Sequence, residues 1–249
     1  PVNGNPEAAR SLRPLAHLSL RDQVVATAAM LCLGDAVESA QGDPQLDVRE
    51  IRNRKKVVSY GNRLFCDRDG ARLLHRWGSS KLYRSYFQDY RSFLLRPEIV
   101  SALHKAGNQS HRIAVFHGDL SKFYDRVRPP LLHRAIRSFC PSPESGSFLA
   151  LLERMMNWSW ADGEDTQLAN LYARNGDIDE FEHIALPQGL VAAGFLSNIV
   201  LAEFDNALKS SIGSAIADGL TLLDASRYVD DIRLVLHVAG DDLGNRVFQ

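Results

Sequence analysis

Apolar residues recur along this chain at two periods, and the switches between them outline its elements. Helical spacing is clearest from Val24 to Glu38, opened by Arg21-Asp22-Gln23. Before it, the alternation of Leu18 and Leu20 behind Pro14 predicts the end of an edge strand. Pro97 predicts the first position of a helix through His104, and Asn108-Gln109-Ser110 a loop before a strand from Arg112 to Leu120. Arg128-Pro129-Pro130 restarts a helix that Pro141-Ser142-Pro143 ends. Another helix, from about Ser147 to Trp160, carries Leu149, Leu152, Met155 and Met156 on one face. Asp162 to Glu182 is polar and acidic and reads as a solvated surface insertion. Its Asp177, Asp179 and Glu180 miss the spacing of a calcium loop. A long helix is expected from Gln188 to about Ile212, with Ala192-Ala193-Gly194 and Ser197 allowing close backbone approach. Leu220 to Tyr228 and Ile232 to Val238 predict two buried strands joined by a tight turn.

That turn holds two adjacent carboxylates, Asp230 and Asp231. Neighbouring side chains on a strand point to opposite faces, so both acids can serve one site only where the backbone turns. Alone, the pair is an ordinary Asp-rich hairpin turn. A second carboxylate stretch, His117-Gly118-Asp119-Leu120-Ser121-Lys122-Phe123-Tyr124-Asp125, ends the earlier strand, and Leu186-Pro187-Gln188-Gly189 lies between the two. Three such stretches in this order are far more specific than any one.

Composition adds limits. With 249 residues and 45% apolar content the chain can bury one large core or two small ones. No apolar run reaches 18 residues, so no membrane span is expected. Cys32, Cys66 and Cys140 are too dispersed for a metal or disulfide framework and read as buried thiols in a reducing cytosol. The net charge of −1 is uninformative, but its distribution is not. Residues 49–112 carry 15 Lys/Arg against 5 Asp/Glu, whereas residues 144–182 carry 9 acids against 2 arginines. A basic segment of this kind, with rings interleaved from Arg72 to Phe93, suits a surface that grips phosphates and stacks bases.

The three stretches resemble the fingers and palm of a reverse transcriptase. Tyr228-Val229-Asp230-Asp231 is similar to the catalytic hairpin, Asp119 with Tyr124 five residues on to the first catalytic strand, and Leu-Pro-Gln-Gly with Asn198 to the template and nucleotide helix. The resemblance implies an α+β fold, a right-hand polymerase with an antiparallel palm sheet and a catalytic hairpin packed on helices. Residues 1–112 would be fingers and 113–249 palm, with the thumb or C-terminal domain expected outside this chain. Arg13-Pro14-Leu15 and Ser59-Tyr60-Gly61-Asn62-Arg63 are similar to fingers segments of the bacterial enzymes. There the first arginine grips the triphosphate, and the tyrosine and second arginine help hold template and nucleotide. The wording Pro-Gln-Gly-Leu-Val-Ala-Ala-Gly-Phe-Leu-Ser-Asn departs from the Ser-Pro of group II intron enzymes. It looks most like the abortive-infection and defence-associated (unknown group) branch, which implies anti-phage activity and a cytoplasmic location. It also implies frequent homo-oligomers, and RNA-templated, protein-primed or untemplated DNA synthesis.

Nucleotide addition to a 3′ hydroxyl needs that hydroxyl deprotonated and a triphosphate neutralised, which two Mg2+ ions about 3.5–4 Å apart can do, with Mn2+ as a substitute. The expected ligands are Asp119 and Asp230, with Asp231 auxiliary and the Leu120 carbonyl an extra. Asp125 is expected beyond the site, capping the following turn. Tyr124 matches the position that blocks a 2′-hydroxyl, favouring deoxynucleotides. Arg13, Arg63, Tyr124, Gln188 and Gly189 are the expected nucleotide contacts. The partners implied are deoxynucleoside triphosphates, an RNA template or associated non-coding RNA, and a DNA product. The competing readings are a catalytically silent palm-fold protein that binds RNA or a partner, and an RNA-synthesising palm enzyme, which Tyr124 opposes.

Overall fold

The computed structural model describes residues 15–110, 112–160 and 166–239. In chain order the elements are α1 (Leu20–Gln41), α2 (Ile51–Arg54), the hairpin β1 (Cys66–Asp69) and β2 (Arg72–His75), and α3 (Tyr86–Gly107). Then come β3 (Arg112–Asp119), α4 (Phe123–Arg126), α5 (Pro129–Ser138), α6 (Gly146–Met155), β4 (Trp158–Ser159), α7 (Thr166–Gly176) and β5 (His183–Ile184). The chain continues through α8 (Ala193–Val200), α9 (Ala202–Ser211), β6 (Ala215–Ala217), β7 (Leu220–Tyr228) and β8 (Asp231–Val238).

The central sheet is antiparallel, in the order β3-β8-β7-β6. Directly paired residues share a face, so its register sorts the side chains into two sets. On one face Leu222, Ala225 and Leu236 pack with Ile212 and Leu208 behind α9. On the other lie Asp224, Tyr228 and Arg233, which meet α3 through Arg96 and Phe93. A β-bulge between Leu222 and Asp224 inserts Leu223 without a partner on β8. The main apolar core lies elsewhere, where Met30, Leu33 and Val37 of α1 meet Leu132, Leu152, Phe195 and Leu196.

Several elements differ from their sequence reading. Leu18 and Leu20 form no strand. Ser19 caps α1 instead, its hydroxyl accepting the Asp22 amide at 3.2 Å, so the helix starts at Leu20. Pro97 does not begin a helix but sits inside α3, eleven residues after its start at Tyr86. The acidic insertion is no solvated loop among the described residues. It carries α7, and its Tyr172 and Phe181 rings pack 5.5 Å apart, with Trp160 5.0 Å from Phe181. The expected long helix from Gln188 is a turn followed by two helices that break at Leu201, and no residue type in the stretch marks that break.

Residues 54–63, which join α2 to the β1–β2 hairpin, are clamped by two buried arginines. Arg96 of α3 is bidentate to Asp224 of β7 at 2.7 Å twice, and donates to the carbonyls of Val57 and Arg54 and to the Tyr60 hydroxyl. Arg63 donates to Glu38 at 2.8 Å and to the carbonyls of Ser59 and Gly42. A charge buried this deeply is tolerated only when fully paired. Asp224→Ala is therefore expected to lower stability by about 3–5 kcal/mol, read as a shift in the urea midpoint. Removing Asp67 from its exposed pair with Arg76 should leave that midpoint nearly unchanged.

Candidate active site

The carboxylate turn forms as the alternation predicts: β7 and β8 are joined by Val229 and Asp230, with Tyr228 paired to Asp231. Asp231 is paired in turn with Asp119 across β8 and β3. Tyr228, Asp231 and Asp119 thus form one row on one face of three adjacent strands, although 119 and 231 lie 112 residues apart in sequence. The Leu120 amide donates to the Asp230 carbonyl at 3.1 Å, which ties the end of β3 to the turn. Cβ atoms of such opposed pairs lie about 4.5–5.5 Å apart, and like charges placed there repel. Of the nearby cations, Arg233 is turned over the Phe93 ring and Lys122 over the Tyr172 ring.

The turn is held from below. Val229 adopts φ 56°, a left-handed conformation that a β-branched residue rarely takes. Its carbonyl accepts from Arg227 at 2.7 Å. The same guanidinium is bidentate to Asp205 of α9 and reaches the Ser59 hydroxyl and the Asn198 amide oxygen. Asn198 in turn donates to the Gly61 carbonyl at 2.8 Å. Gly61 packs so closely that an added Cβ would stand 2.7 Å from both the Val229 amide nitrogen and its Cγ2.

A cleft of about 580 Å³ opens beside this turn, lined by Asp230, Asp231, Tyr124, Gln188, Tyr86 and Tyr228 among others. The Leu190 amide closes a turn onto the Pro187 carbonyl, with Gln188 and Gly189 central and Gly189 at φ 111°, which favours glycine. Gln23 of α1 fixes this turn by donating to the Gly189 carbonyl and accepting from the Val191 amide. Tyr124, on α4, approaches Ser197 and Asn62. Burial chiefly pushes its phenol above the ordinary value, and the Asp230 carboxylate adds to that. A second cavity of about 470 Å³, beside His133 and His183, contains none of these acids.

A family model described as reverse transcriptase (RNA-dependent DNA polymerase) matches residues 5–241. The chain belongs to that family. Its fold is accordingly the fingers and palm of a polymerase, in a mixed helix-and-sheet architecture, and its general activity is nucleotidyl transfer. No curated protein matches the chain. No helix among the described residues is long and apolar enough to cross a membrane.

Set against the expected reverse-transcriptase site, the structure brings Asp119, Asp230, Asp231, Tyr124, Gln188 and Gly189 to one region. Arg13 lies outside the described residues. Arg63 is corrected: at 1% exposure, with its guanidinium spent on Glu38 and backbone carbonyls, it positions the loop and cannot reach a nucleotide. Tyr60 and Asn198 are likewise buried struts rather than contacts for nucleotide or template. Asp125 is no turn cap; its carboxylate accepts from the Tyr172 hydroxyl. The sequence reading gave no role to Arg227, Ser59 or Asp205, although Arg227 stands immediately before Tyr228 and Ser59 opens the 59–63 segment.

Reverse transcriptase domains generally use divalent ions such as Mg2+. The donors suit such an ion: hard carboxylate oxygens on adjacent strands, plus the Leu120 carbonyl, which accepts from Phe123 and keeps one lone pair. Among the described residues no group of three or more His, Cys, Asp or Glu side chains forms a ready-made cage. Magnesium takes waters and substrate phosphates for much of its shell.

Neutralising one opposed acid should relieve the repulsion. Asp231→Asn is expected to raise the melting temperature by about 1–3 °C at low ionic strength. Millimolar Mg2+ should stabilise the wild type more than this variant, as read by thermal scanning. Gly61→Ala should push the Val229 turn out of place, costing about 1–3 kcal/mol and most of the nucleotide incorporation.

Proposed function

We propose that this chain is the fingers and palm of a DNA polymerase that adds deoxynucleotides to a 3′ hydroxyl by two-metal chemistry. Residues 1–112 serve as fingers and 113–249 as palm. The single observation that carries the reading is the row Asp119-Asp231-Tyr228 on one sheet face, with Asp230 in the adjoining turn. Acids gathered on adjacent strands beside a cleft make sense when cations are recruited together with a polyphosphate.

In this reading Asp119, Asp230 and Asp231 would hold the ions, with the Leu120 carbonyl as an additional ligand. The bound ions supply charge neutralisation at the triphosphate and a lowered pKa for the attacking hydroxyl. The Asp119 and Asp231 carboxylates take fixed positions from the β3–β8 ladder, and Asp230 takes its position from the Arg227-braced turn. The Tyr124 ring closes the sugar side of the cleft, leaving no room for a 2′-hydroxyl. Burial, with the Asp230 carboxylate adding to it, raises its phenol pKa. Gln188 and Gly189 back the incoming nucleotide on a turn held by Gln23, and Arg13 is assigned to the triphosphate. A role in bacterial anti-phage defence, with RNA-templated or untemplated synthesis, is supported by the Pro-Gln-Gly-Leu-Val-Ala-Ala-Gly wording of the stretch before Phe195.

Incubation of the protein with Mg2+ and each deoxynucleotide, with and without co-purified RNA, tests this. Asp119→Asn and Asp230→Ala should each lower incorporation by about a thousandfold or more. Undiminished product from either variant, or no DNA product from the wild type under any condition, would end the proposal. Tyr124→Val should retain DNA synthesis while raising ribonucleotide use about 10–100-fold relative to deoxynucleotide, measured as the ratio of kcat/KM values.

A further inference from the structure

The first turn of α3 carries aromatic surface that the chemistry above does not use. Tyr86 and Phe87 are 55% and 81% exposed. Both belong to a ring cluster. Tyr86 lies parallel to Tyr90, with centroids 5.4 Å apart and planes at 11°. It meets Phe87 edge-on at 5.4 Å and Tyr228 edge-on at 5.7 Å. Tyr90 and Phe93 also contact Tyr228, at 5.1 and 5.8 Å. Large rings left in water forgo burial that a partner could supply. These rings are braced by their neighbours, so covering them costs little ordering entropy.

Their position narrows what the partner is. Tyr228 stands in the same cross-strand row as Asp231 and Asp119, so the stack continues directly from the acids along that sheet face. Tyr86 and Tyr90 line the cleft that holds Asp230 and Asp231. Arg91, one helical turn beyond Phe87, is exposed and pairs with no carboxylate among the described residues. A flat ring with a cation one turn away matches a nucleobase followed by its phosphate. An apolar peptide would leave Arg91 unmatched. Tyr124, assigned to the incoming sugar, is neighboured by Ser197 and Asn62.

We propose that Tyr86, flanked by Phe87 and Arg91, seats the 3′-terminal base of the strand being extended. The proposal rests on the polymerase reading for its role, but its binding can be measured without catalysis. A ring-on-base stack of this kind is sequence-tolerant, because every base has a π-face. It sets the terminal sugar toward the acids by holding the base, while Arg91 takes the phosphate behind it.

Fluorescence anisotropy of a 5′-labelled oligodeoxythymidine on the full chain is the test. Tyr86→Ala should weaken binding about tenfold, and Tyr86→Trp should restore it. Against an oligonucleotide ending in an abasic 3′ residue, wild type and Tyr86→Ala should bind alike. Arg91→Gln, which touches no packed ring, should weaken binding and reduce the salt slope by about one. In extension assays Tyr86→Ala should raise the KM for primer and leave that for the nucleotide unchanged. A loss under twofold in Tyr86→Ala, or a tenfold loss that persists with the abasic end, would overturn the assignment. An oligonucleotide that binds neither wild type nor Tyr86→Trp would give the surface to some other occupant. Failure of the wild type to incorporate nucleotides would strike the polymerase reading, while the anisotropy cycle would still judge the platform.

Discussion

The Arg227 guanidinium is the fixed point under the catalytic turn. It is fully buried, and such a charge would cost several kcal/mol if it were left unpaired. None of its three nitrogens is idle. Asp205 takes a bidentate pair, and Ser59, Asn198 and the Val229 carbonyl take the rest. One side chain thereby binds α9, α8, the 57–63 loop and the hairpin tip into a single rigid unit. Arg63 and Arg96 repeat the arrangement around the same loop, with Glu38 and Asp224 as counter-ions. The rigidity of the site comes from these planar forks as much as from apolar packing, and a lysine in any of the three positions could not replace the paired geometry.

Three departures from local preference sit above that support. Val229 occupies a backbone region suited to glycine, Asp119 faces a like charge, and Gly61 is forced against the turn with no room for a methyl group. Other parts of the chain follow ordinary rules, among them a capped α1, a glycine where the 187–190 turn needs positive φ, and a main core of inward apolar faces. Local strain offset by a dense hydrogen-bond network around it is what a preorganised site requires.

Much of this was legible in the sequence. The hairpin strands end within a residue of where the apolar runs predict, and the strand ending at Asp119 matches its reading closely, because period-two alternation and carboxylates at a turn are strong local signals. Residues set by tertiary pairing were not legible. Arg63 reads as a ligand for phosphate because an arginine after a Tyr-Gly turn looks the same whether its partner is a triphosphate or the buried Glu38. Asn198 is buried for the same kind of reason, with Arg227 and Gly61 claiming its amide. The 162–182 stretch misleads because acid content masks an aromatic anchor, Tyr172 against Phe181, that becomes visible only when α7 forms.

The bulge at Leu223 decides more than local shape. Ahead of it Leu222 faces the α9 side, and after it Ala225 and Arg227 do so, while Asp224, Ser226 and Tyr228 face α3. Even and odd positions therefore exchange roles at a single unpaired residue. Without that phase change, the same nine-residue strand would aim its guanidinium at the tyrosine cluster and its phenol at Asp205. The hand of the whole catalytic face is set by one leucine's worth of backbone.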